Sequence, residues 1–205
     1  FRALIAGVTS GIEETELVEL PEWLSPLFTK RCAVRTVLEP LEKFLPSCEL
    51  FYEDPKKHAF MFQVDTLTQR ALDYVVQHEV HGQHDCCPDA DAGTVVVLTE
   101  RGLGEDMHVF AAEAIATGRM TKRQAEVYDN LAQLLMYALP HYDPIAYVYL
   151  RTEPEVCEAR MLARKRACES GVPMEYLRAI HGRYETLMQR MAAENKDVLV
   201  IDATH

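Results

Sequence analysis

Long hydrophobic runs are missing from this chain. No apolar stretch approaches the ~20 residues that a membrane-spanning helix needs, so no transmembrane segment is expected. Positive charge is scarce as well. Lys and Arg number 21 against 32 Asp and Glu, a formal net charge of −11. Proteins that grip a nucleic-acid backbone carry basic patches, so a nucleic-acid partner is not expected. A small molecule needs only a local pocket and stays possible. The six cysteines, Cys32, Cys48, Cys86, Cys87, Cys157 and Cys168, form no repeated CxxC. A chain of 205 residues can bury a core without disulfides,. Reduced thiols in a reducing compartment, cytoplasmic or mitochondrial, are therefore expected. No secretory leader is visible after Phe1, and internal repeats and low-complexity tracts are also missing,. Lysine does not occur before Lys30.

Five short apolar runs are present: Ala3-Ile5, Val34-Leu38, Thr94-Leu98, Ile145-Leu150 and Val198-Ile201. Each is nearly continuous and rich in β-branched residues, the pattern of strands buried on both faces. Between them lie segments of helical period. One runs from Phe60 to Val80 through Phe62, Val64, Leu67, Ala71, Leu72, Val75 and Val76. Another runs from Lys122 to Leu139 through Ala125, Val127, Leu131, Leu134, Leu135 and Ala138. Strands alternating with long helices predict βαβ units, a parallel sheet and one α/β domain over 1–205. Parallel sheets hold ligands at the carboxyl ends of their strands. Gly7, Glu39, Glu100-Arg101 and Arg151 each follow one of the runs, and that coincidence marks a candidate site.

Three clusters could carry chemistry. At the end of the third run, the Glu100 carboxylate could hold Mg²⁺ or a hydroxyl, and Arg101 an anion. The same two residues could equally form a solvated ion pair that caps the strand. Arg160 and Arg164 share a helix face by their four-residue spacing, with Arg166 nearby,. Three guanidinium groups at one place suit a phosphoryl group, although a solvated basic face is the commoner outcome. The run from His78 to Cys87 has metal-ligand residue types. It leads into the polar connection Gly82 to Gly93 and is read as solvated.

Longer motifs carry a family resemblance. Tyr149-Leu-Arg-Thr-Glu-Pro-Glu-Val156, Arg164-Lys-Arg166 and Glu169-Ser-Gly-Val-Pro-Met-Glu-Tyr-Leu177 resemble the strand, lid and following helix of deoxyribonucleoside kinases. Glu100-Arg-Gly-Leu-Gly-Glu-Asp-Met-His-Val-Phe110 is similar to that family's Glu-Arg-Ser motif with its downstream Asp and Phe. Leu38-Glu-Pro-Leu-Glu-Lys-Phe44, Tyr52 to Gln63 and Val198 to Ala203 match further segments in order. The resemblance implies a P-loop-kinase-like three-layer αβα fold with a five-stranded parallel sheet and a lid at about 160–171. It implies ATP and Mg²⁺ as cofactors and 5′-phosphorylation of a deoxynucleoside. By position, Glu39 matches the catalytic base, and Arg101 the arginine that orients it and meets phosphate. Glu100 matches the residue near the metal. Gln63 matches the amide that pairs with the nucleobase, Phe44 and Phe110 the pocket walls, Tyr52 and Glu169 the 3′-hydroxyl ligands. Arg160, Arg164 and Arg166 match the lid arginines. Arg70 and Asp106 stand where deoxycytidine and deoxyguanosine kinases carry an interacting pair, which implies deoxycytidine or a deoxypurine as ligand.

Two departures stand out. The family's Ser after Glu-Arg is Gly102 here. The phosphate loop, normally G-x-x-x-x-G-K-[ST], is Gly7-Val-Thr-Ser-Gly11-Ile-Glu13-Glu-Thr15, with Glu13 at the lysine position and no lysine in any register. Loss of one charged phosphate contact costs about 2–5 kcal/mol when the partner charge stays buried, or roughly 30- to several-thousand-fold in rate. Two readings follow. One is a deoxynucleoside kinase. The other is a pseudokinase that serves as a structural or accessory subunit of a larger assembly, as a kinase-like subunit does in mitochondrial complex I. Pairing of two copies through helices, common in the family, is possible in either case.

Overall fold

The computed structural model describes residues 17–18, 32–37, 41–82, 95–139, 142, 144–166, 169 and 171–204. These residues fall in two compact units. One takes in Phe1–Glu39 and Asp73–Arg101, the other Pro40–Leu72 and Gly102–His205.

The first unit holds a small sheet in the order β1-β2-β3: β1 (Leu17–Val18), β2 (Cys32–Val37) and β3 (Val95–Thr99). β2 and β3 are parallel, with Ala33 opposite Val95 and Val37 opposite Thr99. Both strands therefore end at the same edge, and Glu100 and Arg101 follow directly from β3. β1 is antiparallel to β2, with Leu17 opposite Ala33.

The second unit begins with α1 (Leu41–Glu53), which tolerates Pro46 in its interior at the loss of one helical donor,. α2 (Pro55–Gly82) follows after a single residue. Asp54 marks the break, because its Oδ1 accepts from the Lys57 N–H at 3.1 Å and Pro55 stands at the first helical position,. The part of α2 from Asp73 onward belongs to the first unit. On the earlier part, Ala59, Gln63, Thr66, Leu67, Arg70 and Ala71 make up the buried stripe, at helical spacing,.

The segment 103–116 is helical throughout but not regular. It runs as α3 (Leu103–Glu105), a π-helical turn (Asp106–Ala111) and α4 (Ala112–Ala116). α5 (Lys122–Ala138) starts at a capping box, in which Thr121 and Gln124 satisfy each other's backbone N–H groups,. β4 (Ala146–Arg151) and β5 (Asp197–Asp202) pair in parallel, flush from Ala146 opposite Asp197 to Arg151 opposite Asp202. Between them come α6 (Pro154–Arg164), with Pro154 at its first position, and α7 (Met174–Ala193),. The main core here is Val109 of the π turn with Leu187, Met188 and Met191 of α7. Tyr147 and Tyr149 of β4 and Val198 of β5 pack against it.

Four of the five expected strands are observed, each within a residue or two of its apolar run; the Ala3-Ile5 run lies outside the described residues. A single five-stranded sheet is not what the described residues contain. They contain two parallel pairs, β2-β3 and β4-β5, each within its own unit. The apolar face expected for the Lys122–Leu139 helix needs correction. Val127 and Leu134 are exposed, the latter at 61%, whereas Tyr128 and Ala132 are buried. No helix among the described residues is long and apolar enough to cross a membrane.

Candidate active site

Besides Glu113 and Glu169, three charged or amide side chains are buried in the second unit although charge and polarity oppose burial,. They are Gln63 at 2% exposure, Arg70 at 8% and Asp106 at 1%. Gln63 and Arg70 lie seven residues apart on α2, two turns, so they share its buried stripe. Asp106 opens the π turn. Arg70 Nε lies 2.7 Å from Asp106 Oδ2, a charge-assisted hydrogen bond,. The Arg70 guanidinium also lies 5.9 Å from the ring centre of Phe44, a buried residue of α1,. The expected pair is therefore present and is roofed by one of the expected aromatic walls.

Gln63 differs from its neighbours. Its Oε1 is buried and has no hydrogen-bond partner. A buried amide oxygen left alone costs about 1–3 kcal/mol, so this position is expensive unless something else binds there. Two tyrosines not anticipated from the sequence stand close by. Tyr128 of α5 is buried and its hydroxyl also lacks a partner. Burial pushes that hydroxyl's pKa far up, and the Asp106 carboxylate adds to the rise. Tyr142 accepts a hydrogen bond from the Leu103 N–H at 2.5 Å. Its pKa is also raised, mainly by burial, with Glu105 and Asp106 contributing. Both phenols stay neutral at any ordinary pH. The signal that could have located Tyr128 was its own helical position. It lies between Val127 and Leu131, in the middle of that helical period.

Phe110 lies in the last part of the π turn, partly buried, with its ring edge-on to Tyr184 at 6.1 Å,. Tyr52 stands near the end of α1, its ring 5.1 Å from that of Phe51. The lid residues are arranged in an unexpected way. Arg164 holds Glu169 with two hydrogen bonds, Nε to Oε2 at 2.7 Å and Nη2 to Oε1 at 2.8 Å. Arg166 adds a longer contact, Nη1 to Oε1 at 3.3 Å. Glu169 is buried within this clasp. The chain reaches it through Lys165, whose left-handed φ of 54° ends α6,. Arg160 is exposed on the same helix. Two of the three guanidinium groups expected at a phosphate thus meet a carboxylate of the chain itself.

In the first unit, Glu100 and Arg101 follow β3. Arg101 is exposed and has φ of 64°, left-handed backbone that an arginine adopts only at a cost,. Such strain is concentrated at functional positions. Glu39, Gly7, Gly11, Glu13 and Thr15 lie outside the described residues. Arg151 pairs with Glu185 at 3.1 Å at the end of β4. Of the His78 to Cys87 run, only the start falls on α2, and His84, Cys86 and Cys87 are outside the described residues. Among the described residues no group of three or more His, Cys, Asp or Glu could hold a metal ion.

A deoxynucleoside kinase family model matches residues 23–205. The chain belongs to the deoxynucleoside kinase family. It is 25% identical over 163 residues to a deoxyguanosine kinase of Dictyostelium discoideum, covering 77% of this chain and 51% of that protein. It is 24% identical over 177 residues to a deoxycytidine kinase of Bos taurus, covering 82% and 65%. To the deoxycytidine kinase of Homo sapiens it is 25% identical over 153 residues, 74% and 56%. The chain thus spans about half to two-thirds of the length of these kinases. Family membership carries the αβα class of the P-loop kinases with it, and the parallel strand pairs and long helices described above agree.

Proposed function

We propose that the chain binds a deoxyribonucleoside and directs its 5′-hydroxyl to phosphoryl transfer from ATP. The observation that carries this reading is the unpartnered, buried Oε1 of Gln63 beside a ready-made Arg70–Asp106 pair. An amide offers a donor and an acceptor together, which is what a nucleobase edge presents. The fixed pair favours deoxycytidine or a deoxypurine over thymidine, whose kinases carry smaller or apolar residues there. Phe44 and Phe110 wall the base, and Tyr52 and Glu169 hold the 3′-hydroxyl. Glu39 takes the 5′-hydroxyl proton, which requires hydrogen-bond reach, and Arg101 orients it. The proposed domain is single, 1–205, with its lid at about 160–171 and the Ala3-Ile5 run as a fifth parallel strand.

Mg²⁺ usually takes one or two carboxylates and completes its shell with water and substrate phosphates, a donor set that Glu100 fits. ATP would supply the phosphoryl group when bound. The sequence Gly7-Thr15 does not fit its phosphates in the usual way, because Glu13 brings repulsion where a lysine would attract,. That same loop favours a second reading, a nucleoside-binding pseudokinase used as an accessory subunit. Either protein suits a reducing compartment, cytoplasmic or mitochondrial.

Gln63→Leu tests the binding reading. Removing the orphaned oxygen leaves melting temperature unchanged or slightly raised, while calorimetric affinity for deoxycytidine and deoxyguanosine is lost. A variant that binds as before would overturn it. Turnover then separates the two readings. Phosphorylation by the unaltered chain sinks the pseudokinase. Nucleoside binding with neither ATP binding nor turnover, with activity gained on Glu13→Lys, sinks the kinase.

A further inference from the structure

The start of the 103–116 helix has no cap of its own. Gly102 stands at the N-cap with no side chain to offer, and no side-chain cap bond is made there. The Leu103 N–H is nonetheless satisfied. Its acceptor is Tyr142 Oη at 2.5 Å, from 39 residues further along the chain. Leu103 is completely buried, so water cannot take that role. The space confirms the arrangement. A Cβ at position 102 would lie 2.8 Å from Tyr142 Oη and 3.3 Å from Glu105 Oε2. The first distance is shorter than real Cβ contacts allow, and the phenol cannot retreat without releasing Leu103. Gly102 and the Tyr142 hydroxyl therefore exclude any side chain at 102 from sharing that space.

We propose that Tyr142 is a positioning residue for the nucleobase pocket, its hydroxyl standing in for the side chain that Gly102 lacks. The link to the pocket is one helical turn long. The Asp106 N–H donates to the Gly102 carbonyl at 3.3 Å, so the backbone that Tyr142 pins is the backbone from which Asp106 hangs. Asp106 then holds Arg70, and Phe110 lies one turn beyond. The role in the pocket rests on the nucleoside reading above; the capping role does not.

A serine at 102 would have its own solution. With Glu105 three residues later it completes the S-x-x-E pattern of a capping box. It can do so only if the phenol hydroxyl is gone. The two devices are therefore alternatives, and the pair of sites must show reciprocal sign.

Four chains decide the matter: the natural one, Tyr142→Phe, Gly102→Ser, and the double variant. Tyr142→Phe lowers the melting temperature by at least about 2–4 °C, the usual worth of a cap in a chain of this size. Gly102→Ser alone lowers it too, by displacing the phenol. The double variant melts above either single one. Losses that simply add in the double variant overturn the capping role. Binding gives the second readout. The ratio of deoxycytidine to thymidine affinity moves towards one in Tyr142→Phe and returns in the double variant. Ratios that stay fixed while melting temperatures move overturn the positioning role and leave a purely structural cap. If the natural chain binds no deoxynucleoside, the nucleoside reading and the positioning role fall together, and the melting cycle alone judges the cap.

Discussion

Arg70 and Asp106 show how unequal the two ways of losing a buried ion pair are. Both side chains are almost wholly buried, and the pair is tight at 2.7 Å. Deleting one partner strands the other charge in a low dielectric, which costs about 3–5 kcal/mol. Replacing both with apolar residues of similar volume is often neutral. Arg70→Met should therefore lower the melting temperature by on the order of 10 °C, and Arg70→Met with Asp106→Leu should recover most of it. Thermal melts of the three chains check this. A double variant as weak as the single one would show that the pair itself stabilises the fold. At the same scale, the residue types of the candidate site were legible because motifs preserve them. Gln63, Arg70, Asp106, Phe110 and Glu169 are singled out from the sequence; of these, Arg70 and Asp106 meet, and Gln63 lies on the same buried stripe of α2 as Arg70. Their partners were not legible. Nothing in the order of residues says that Arg164 turns back to Glu169, because that depends on the left-handed turn at Lys165. Nor does anything place the Tyr142 hydroxyl against a backbone 39 positions earlier.

Elements were easier to read than their faces. β2 to β5 follow their apolar runs closely, although β4 and β5 are half-buried rather than buried on both faces, with Val200 53% exposed. The long helices were found too, but α5 turned its face away from the expected one. Val127 and Leu134 stand exposed while Tyr128 goes inside. Aliphatic periodicity alone was a poor guide there, because a large phenol can be the better core residue. The π turn was not foreseeable, as one extra residue in a helix leaves no compositional mark. It carries a titratable group, His108, which lies 3.4 Å from Arg190 of α7. Burial lowers the His108 pKa first, and Arg190 lowers it further. Glu194 and Asp129 work in the opposite direction without cancelling them. The fold thus prefers neutral His108. Its contribution to stability is complete above the ordinary value of about 6.5 and is lost as pH falls below it towards the depressed folded value. Between about pH 7.5 and about pH 5.5 the natural chain should lose more melting temperature than His108→Gln. Equal losses would show that the imidazole titrates without restraint.

For the whole molecule, the excess of acidic groups sets the salt response. With 32 acidic and 21 basic residues the chain repels itself,. Exposed pairs such as Arg123–Glu126 and Arg178–Glu155 act oppositely, but such pairs contribute little,. Raising NaCl from about 0.01 M to about 0.15 M shortens the screening length from about 30 Å to about 8 Å. Repulsion reaches further than the pairs do, so the melting temperature should rise over that range at neutral pH. A fall would mean that local pairs dominate.

The π turn sets the phase of everything that follows it. An α-helix advances by 3.6 residues per turn, and a π turn closes its hydrogen bonds one residue later. Asp106 stands at the front of that turn and Glu113 just behind it. The first meets Arg70 at 2.7 Å, and the second meets Arg183 of α7, also at 2.7 Å. A regular α-helix through the same residues would rotate Glu113 by about 100° against Asp106. Such a helix could aim one carboxylate at its arginine, but not both.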